Sequence, residues 1–223
     1  WLLSILAIIC VCLPSNAQIG DLRNNLAIGL NGGINSNKVS FSPTIKQSTL
    51  IRYNGGITLR YISEKYMALI CGIQTEINYT QRGWAELIED DSGDTYSCYM
   101  NYVEIPILTH WAFGKEKNSQ VVFLHLGPQV AFLLNEKENM SESWHLDNRL
   151  IKEQYGKLAN KFDYGIIAGG GLEIKTKAGN FLIEGRYYYA LSDFYNTTKK
   201  EYFGRAAHTT ILGKMTYLFN ITK

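Results

Sequence analysis

Phe181-Leu-Ile-Glu-Gly-Arg-Tyr-Tyr-Tyr-Ala-Leu191 is the stretch whose reading decides the fold. Its odd positions, Phe181, Ile183, Tyr187, Tyr189 and Leu191, are apolar or aromatic around Gly185, while the even positions include Glu184 and Arg186. A period of two is the period of a β-strand. One wholly apolar face opposite a face that carries ions is the pattern of a membrane-spanning β-barrel, with lipid outside and a polar lumen inside. Thr209–Phe219 repeats it: Ile211, Met215, Tyr217 and Phe219 oppose Thr210, Lys214 and Thr216. A soluble barrel or sandwich also alternates, but it turns its apolar row inward and its charges to water. Here that choice would leave an apolar belt with aromatic ends facing solvent.

Working outward, the same alternation predicts eight strands, at about 25–37, 52–62, 66–82, 99–114, 120–134, 161–175, 180–193 and 208–222. The connections 63–65, 115–119 and 176–179 are short; those at 38–51, 83–98, 135–160 and 194–207 are long. Strict alternation of short and long links is the asymmetry of outer-membrane barrels, with tight periplasmic turns and long external loops. The expected fold is therefore all-β: an eight-stranded antiparallel transmembrane β-barrel, an up-and-down meander with both ends in the periplasm. Outward aromatics sort into an external row (Tyr53, Tyr79, Tyr164, Tyr187, Tyr189) and a periplasmic row (Tyr61, Trp111, Phe113, Phe181, Tyr217, Phe219). Such girdles sit at headgroup level.

Residues 1–13 are almost wholly apolar, and Pro14-Ser-Asn-Ala17 supplies small residues ahead of Gln18. This predicts a cleaved signal peptide over 1–17 and a barrel domain over 18–223, exported to the outer membrane of a Gram-negative cell. The net charge of +2 gives no basis for a nucleic-acid partner. Cys71 and Cys98 are expected to be free thiols on separated levels of neighbouring strands, and no metal-ligand spacing occurs. No cofactor and no metal are expected.

The inward row places Arg60, Glu76, Glu104, Glu173, Glu184, Arg186 and Lys214 in the lumen. Eight strands leave an interior only wide enough for side chains, so these ions are expected to pair into one network. Glu184 and Arg186, with Glu173 and Lys214 on neighbouring strands, are its expected centre. A narrow ion-conducting pore is the alternative; a solute pore needs many more strands.

Tyr102-Val-Glu-Ile-Pro-Ile-Leu108 resembles the Tyr-x-Glu-Ile-Pro-x-Leu strand of the PorT-type outer-membrane β-barrel family of Bacteroidetes. Gly171-Leu-Glu173, Glu184-Gly-Arg-Tyr-Tyr-Tyr-Ala-Leu191 and Gly29-Leu-Asn-Gly-Gly-Ile-Asn35 are similar to other strands of that family. The resemblance implies an eight-stranded barrel across nearly the whole mature chain, with little implied about activity. The name-giving member is tied to a protein secretion system. Pro106, lacking a ladder donor, is expected at a bulge.

Chemistry beyond the barrel is thinly signalled. Ser192, Asp193 and His208 fall at the external ends of neighbouring strands, where a Ser–His–acid site acting on lipid would need them in contact; ordinary rim polarity is the simpler reading, and no catalytic residue is expected. The acidic run Glu86–Asp94 lacks the full spacing of a calcium loop. The third loop, about 135–160, is expected to hold a short helix over 143–155, capped by Ser143, and Trp144, Arg149 and Tyr155 mark it as a possible partner-binding surface. The expected role is structural or interaction-based: a monomer whose partners are outer-membrane lipid and lipopolysaccharide, with an envelope or secretion protein as a further partner. A rim enzyme or a secretion component is the alternative. A closed barrel resists detergent until heated, so the folded protein should migrate differently from the boiled protein on a detergent gel; equal migration would argue against closure.

Overall fold

Eight long strands close into a ring. The structure is a computed structural model, and it describes residues 21–222 apart from 91, 115–119, 150, 151, 153, 154, 156 and 198–201. The expected signal peptide and the link 115–119 lie outside the described residues. The strands are β1 (Asp21–Ser42), β2 (Gln47–Ser48), β3 (Leu50–Tyr66), β4 (Leu69–Glu86), β5 (Tyr96–Phe113), β6 (Gln120–Met140), β7 (Phe162–Lys175), β8 (Asn180–Ala190) and β9 (Arg205–Asn220). Each long strand pairs antiparallel with the next, and β1 pairs with β9 from Ala27↔Asn220 to Ser42↔Arg205, which closes the meander. β2 is a two-residue addition to the external end of β4.

The pairings fix the geometry of the ring. From Leu26 the partners run through Tyr61, Ile73, Thr109, Leu126, Ala168, Tyr187 and Ile211, and return to β1 at Ser36. That return lies ten positions above Leu26. With standard strand spacing, eight strands and this stagger give a tilt of about 40° and a backbone radius of about 8 Å. Such a cylinder has room for one layer of side chains from each wall.

Parity sorts the two faces. Thr58, Arg60, Gln74, Glu76, Glu104, Leu182, Glu184, Arg186, Lys214 and Thr216 are buried, while Ile57, Leu59, Ile73, Ile77, Ile107, Ile183, Ile211 and Met215 are exposed. Between the two aromatic rows no described outward position carries a charge. Outward Thr75 and Thr109 donate to the carbonyls of Pro106 (3.0 Å) and Leu126 (2.9 Å), so their hydroxyls do not meet hydrocarbon unpaired. The girdles form as contact groups. Phe132 and Phe162 lie 5.1 Å apart at the external end, and Phe181 and Tyr217 lie 4.4 Å apart at the other. Tyr61 donates to Asn24 Oδ1 and Tyr217 to the Ala178 carbonyl, which tethers these rings to the periplasmic rim.

Three expectations change. The strands project further outward than their lipid-facing runs: β5 begins at Tyr96 and β6 ends at Met140, paired with each other above the membrane. The cause is that Tyr96, Cys98 and Met100 are buried there, so apolar packing continues past the lipid while Glu136 and Glu138 face water. The bulge between β5 and β6 falls at Asn101/Tyr102 rather than at Pro106, which stays in register opposite Gln129; Thr75 takes the proline carbonyl instead. Over the described residues 143–149 of the third loop a 3-10 turn, Leu146–Asn148, stands where a helix was expected, because Ser143 donates to Asp94 (2.5 Å) rather than capping a turn.

Ile57 lies midway between Tyr53 and Tyr61 on β3 and faces lipid beside Leu30 and Ile77. Ile57→Arg should cost about 2–4 kcal/mol, the usual penalty for a cation at the bilayer midplane, whereas Ile57→Leu should be nearly neutral. Urea unfolding of the reconstituted barrel measures both.

Candidate functional site

Buried charged side chains converge in the lumen, which is built in tiers. At the periplasmic end Arg60 from β3 forks onto Glu173 from β7, with Nη1 to Oε2 at 2.9 Å and Nη2 to Oε1 at 2.8 Å. In the middle Glu76 from β4 collects five donors. Arg186 reaches it with Nη1 (3.0 Å) and Nη2 (2.7 Å), Gln74 at 2.8 Å and Asn78 at 2.9 Å, and the Lys214 ammonium completes the set. Arg186 Nη2 also bonds Glu184 at 2.6 Å. Charge-assisted, bidentate contacts of this kind are what make buried ions tolerable. Inward glycines make the space: a Cβ on Gly171 would stand 2.0 Å from the Ile183 carbonyl and 2.9 Å from the Glu184 side chain.

A pair of histidines hangs from this cluster. His125 Nδ1 lies 2.9 Å from Glu184 Oε2, and His110 Nδ1 lies 2.8 Å from His125 Nε2. The carboxylate requires a donor, so the His125 Nδ1 proton points at Glu184. His125 Nε2 then accepts from His110 Nδ1, and neutral His110 presents a lone pair at Nε2. The external tier is Arg82, which bonds Glu104 at 2.6 Å and Asp163 at 2.6 Å. Its guanidinium lies over Tyr188 (4.3 Å) and Tyr102 (5.1 Å). Tyr188 donates to Asp163 at 2.8 Å.

All seven lumenal residues read from parity are therefore inside, but their partners differ from those expected. Glu173 pairs with Arg60 and not with the Glu184–Arg186 centre, where Glu76 is the hub. Sequence reasoning passed over Arg82, Asp163 and His125. The signal was available: Arg82 is in phase with Glu76 on β4, and Asp163 with Glu173 on β7. Both lie at expected strand ends, where polar residues read as rim.

Above Arg82 the mouth is filled by apolar and aromatic side chains. Phe41, Trp84, Tyr96, Met100, Phe194 and Phe203 are buried in one cluster, with Phe41 and Trp84 rings 5.1 Å apart. The third loop is latched onto this cluster. Trp144 stacks on Tyr96 (5.6 Å), Tyr155 meets Tyr96 edge-on (4.7 Å) and donates to Glu86 (2.7 Å). Arg149 bonds Asp90 (3.0 Å) and Asp94. Hydrogen bonds from Ser143 and Ser141, with the Arg149 guanidinium, hold the Asp94 carboxyl below the usual aspartate range. Trp144, Arg149 and Tyr155 thus hold the loop down, and the backbone and polar side chains around them form its outer face.

The rim residues do not assemble a hydrolytic site. Ser192 donates to Asp163 Oδ1, Asp193 accepts from Ala206 N at 2.7 Å, and His208 is buried in the lumen 3.2 Å from the Tyr102 hydroxyl. Parity explains this: His208 is an inward position of β9, whereas Ser192 follows the end of β8. Cys71 and Cys98 are free. Among the described residues no group of three or more His, Cys, Asp or Glu could hold a metal.

A closed eight-strand ring with a lipid-facing apolar band, paired aromatic girdles and a filled lumen defines an outer-membrane β-barrel. The model of the outer membrane protein beta-barrel domain family matches residues 16–196, and the chain belongs to that family, which places it in the outer membrane. No curated protein sequence matches it significantly. Among solved structures it is similar to Ail, the attachment invasion locus protein of Yersinia pestis, in complex with the heparin analogue sucrose octasulfate (14% identity, 88% of this chain and 100% of that one, TM-score 0.40). OprG from Pseudomonas aeruginosa (8%, 90% and 95%, 0.47) and Neisserial surface protein A (11%, 86% and 97%, 0.41) are further likenesses.

Arg186→Leu strips Glu184 and Glu76 of their shared cation. Removing one partner of a buried pair costs about 3–5 kcal/mol, and the Lys214, Gln74 and Asn78 donors that Glu76 keeps put the expected loss near about 3 kcal/mol. The urea midpoint of the refolded barrel reads it; an unchanged midpoint would show that this tier contributes nothing to stability.

Proposed function

We propose that the protein is a sealed barrel that works through its external face, as a structural or interaction element of the cell envelope. The observation that carries this is the latched mouth: the aromatic cluster of Phe41, Trp84 and Tyr96, covered by the third loop through Trp144, Arg149 and Tyr155, over a lumen of ion pairs. A passage for solutes would have to displace both. What remains for contact is the lipid-facing wall, which takes outer-membrane lipid and lipopolysaccharide, and the outer surface of the loops. That surface is mixed in charge, with exposed Glu89, Asp90 and Asp147 paired to Lys46, Arg149 and Lys152. An envelope protein with a polar, hydrogen-bonding face is the partner it suits. The reading includes no catalytic step, since Ser192 is engaged by Asp163 and His208 turns into the lumen. The PorT-type resemblance of the Tyr-x-Glu-Ile-Pro-x-Leu run Tyr102–Leu108 is the finer family reading, and its Glu104 is a lumenal partner of Arg82. The protein is read as a monomer exported by its N-terminal leader.

Reconstituted in planar bilayers, the intact protein should give no steady single-channel steps, and Arg149→Ala should speed trypsin cleavage at Lys152 on whole cells by releasing the loop. Open-channel steps from the unaltered protein would overturn the sealed-barrel reading.

A further inference from the structure

Above the membrane the sheet is not closed. β6 pairs with β5 as far as Met140, but its pairing with β7 stops at Phe132↔Phe162, with one further bond from Leu133 N–H to the Lys161 carbonyl (2.8 Å). Among the described residues no strand pairs with the outer edge of β6 beyond that point. Every residue from Leu134 to Met140 is exposed, so the third loop leaves this edge uncovered. Leu134 is the extra residue of the bulge opposite Asn101/Tyr102, and from Asn135 to Met140 the strand stays in register with β5 over about 20 Å. That is the length of an ordinary strand, and its free N–H and C=O groups are a template for another.

Charge sets what the edge accepts. Asn135-Glu-Lys-Glu-Asn139 reads the same in both directions. Glu136 and Glu138 share the face of Met100 and Cys98, and Lys137 shares that of Tyr99. Glu138 accepts from the Tyr96 hydroxyl (2.7 Å) and Glu136 from Leu158 N–H (3.4 Å). Both donors are neutral, and none of the three charges has an ion-pair partner among the described residues. Directly opposed residues of an antiparallel pair share a face. A second copy pairing antiparallel here can never bring a glutamate opposite Lys137, because the glutamates hold even positions and the lysine an odd one. The centred register opposes Glu136 to Glu138 and Lys137 to Lys137, and like charges directly opposed destabilise a pair. The edge thus rejects itself. A strand that sets a cation, an anion and a cation opposite Glu136, Lys137 and Glu138 meets three complementary charges instead.

We propose that Asn135–Met140 is a docking edge for an extended segment of another envelope protein, which adds to the sheet as a strand and carries a cation–anion–cation run. Main-chain hydrogen bonds supply the affinity, and the alternating charges select the segment. The proposal rests on the reading of the external face as the working surface and names the kind of partner that face takes.

The full folded chain in detergent is titrated, at physiological salt, into labelled acetyl-Thr-Val-Lys-Glu-Lys-Val-Thr-amide, with anisotropy as the readout. This peptide should bind saturably, at least tenfold tighter than its charge-reversed form with Glu-Lys-Glu at the centre. It should also bind at least tenfold tighter than the same peptide N-methylated at its Lys, Glu and Lys amides, which keeps the charges but cannot extend a ladder. Hydrogen exchange of the Leu134–Met140 amides should slow in the complex. The exposed triple variant E136K/K137E/E138K should reverse the preference between the two charge patterns. No saturable binding, equal binding of the N-methylated peptide, a preference that the triple variant leaves unreversed, or a dimer of the chain joined through this edge would overturn the proposal. Each of these outcomes leaves the bilayer conductance test untouched, so a sealed barrel without this edge partner is told apart from an open one.

Discussion

Width is the constraint on which everything else depends. Eight strands staggered by ten positions leave a cylinder about 8 Å in radius, which side chains fill and bulk water does not. Nine charged groups nevertheless enter it: Arg60, Arg82, Arg186 and Lys214 against Glu76, Glu104, Asp163, Glu173 and Glu184. Ions in so narrow a space persist only when each lies within hydrogen-bond distance of an opposite charge. The tiers follow from that requirement. Arginine recurs because its planar fork satisfies a carboxylate from the far wall in two bonds, as Arg60 does for Glu173 and Arg186 for Glu76. Both pairs cross the barrel, from β3 to β7 and from β8 to β4. They tie together staves that share no backbone ladder.

The same narrowness explains where small residues fall. Long arginine side chains need opposite walls without bulk, and β7 supplies Gly165, Gly169 and Gly171 on its inward face, next to Glu184 and Arg186 on β8. Where ions are absent the lumen is filled by apolar side chains: Leu182, Leu218, Phe123 and Ile70 below, and Leu108, Ile167 and Tyr188 above. Lumen and lipid face are thus governed by different rules. Outside, apolar surface is compulsory because water is missing. Inside, either apolar packing or complete ion pairing will serve, and the chain uses both.

Much of this was legible in the chain, because period-two alternation is local and robust to errors in strand ends. Inward Glu184 and outward Ile183 are distinguished by one step in sequence. What was not legible is non-local. That Glu173 meets Arg60 rather than Lys214 depends on how β3 and β7 face each other across the ring, which follows from stagger and rotamer and not from spacing. Arg82 and Asp163 were hidden for a related reason: the strands continue beyond the membrane, and polarity ceases to mark strand ends where both faces meet water. Over 143–149 a 3-10 turn replaces the expected helix because Ser143 and Arg149 are drawn to Asp94 and Asp90 on the neighbouring loop, a contact that helix-end rules applied to one segment do not see.

The external mouth is closed by aromatic packing. Phe41, Trp84, Tyr96 and Phe203 gain nothing from lipid, since they face inward above the membrane; their effect is to close the mouth. Gln47 adds to this by pairing with the Val39 backbone through both its amide nitrogen and oxygen, which folds the first loop over the rim. A barrel needed only as a membrane anchor could leave its external mouth wet. Stacking at the mouth instead gives the loops a rigid base, so their polar outer face is held in one shape. Rigid presentation lowers the ordering cost of binding at that surface, and it is the physical reason a sealed barrel suits recognition better than transport.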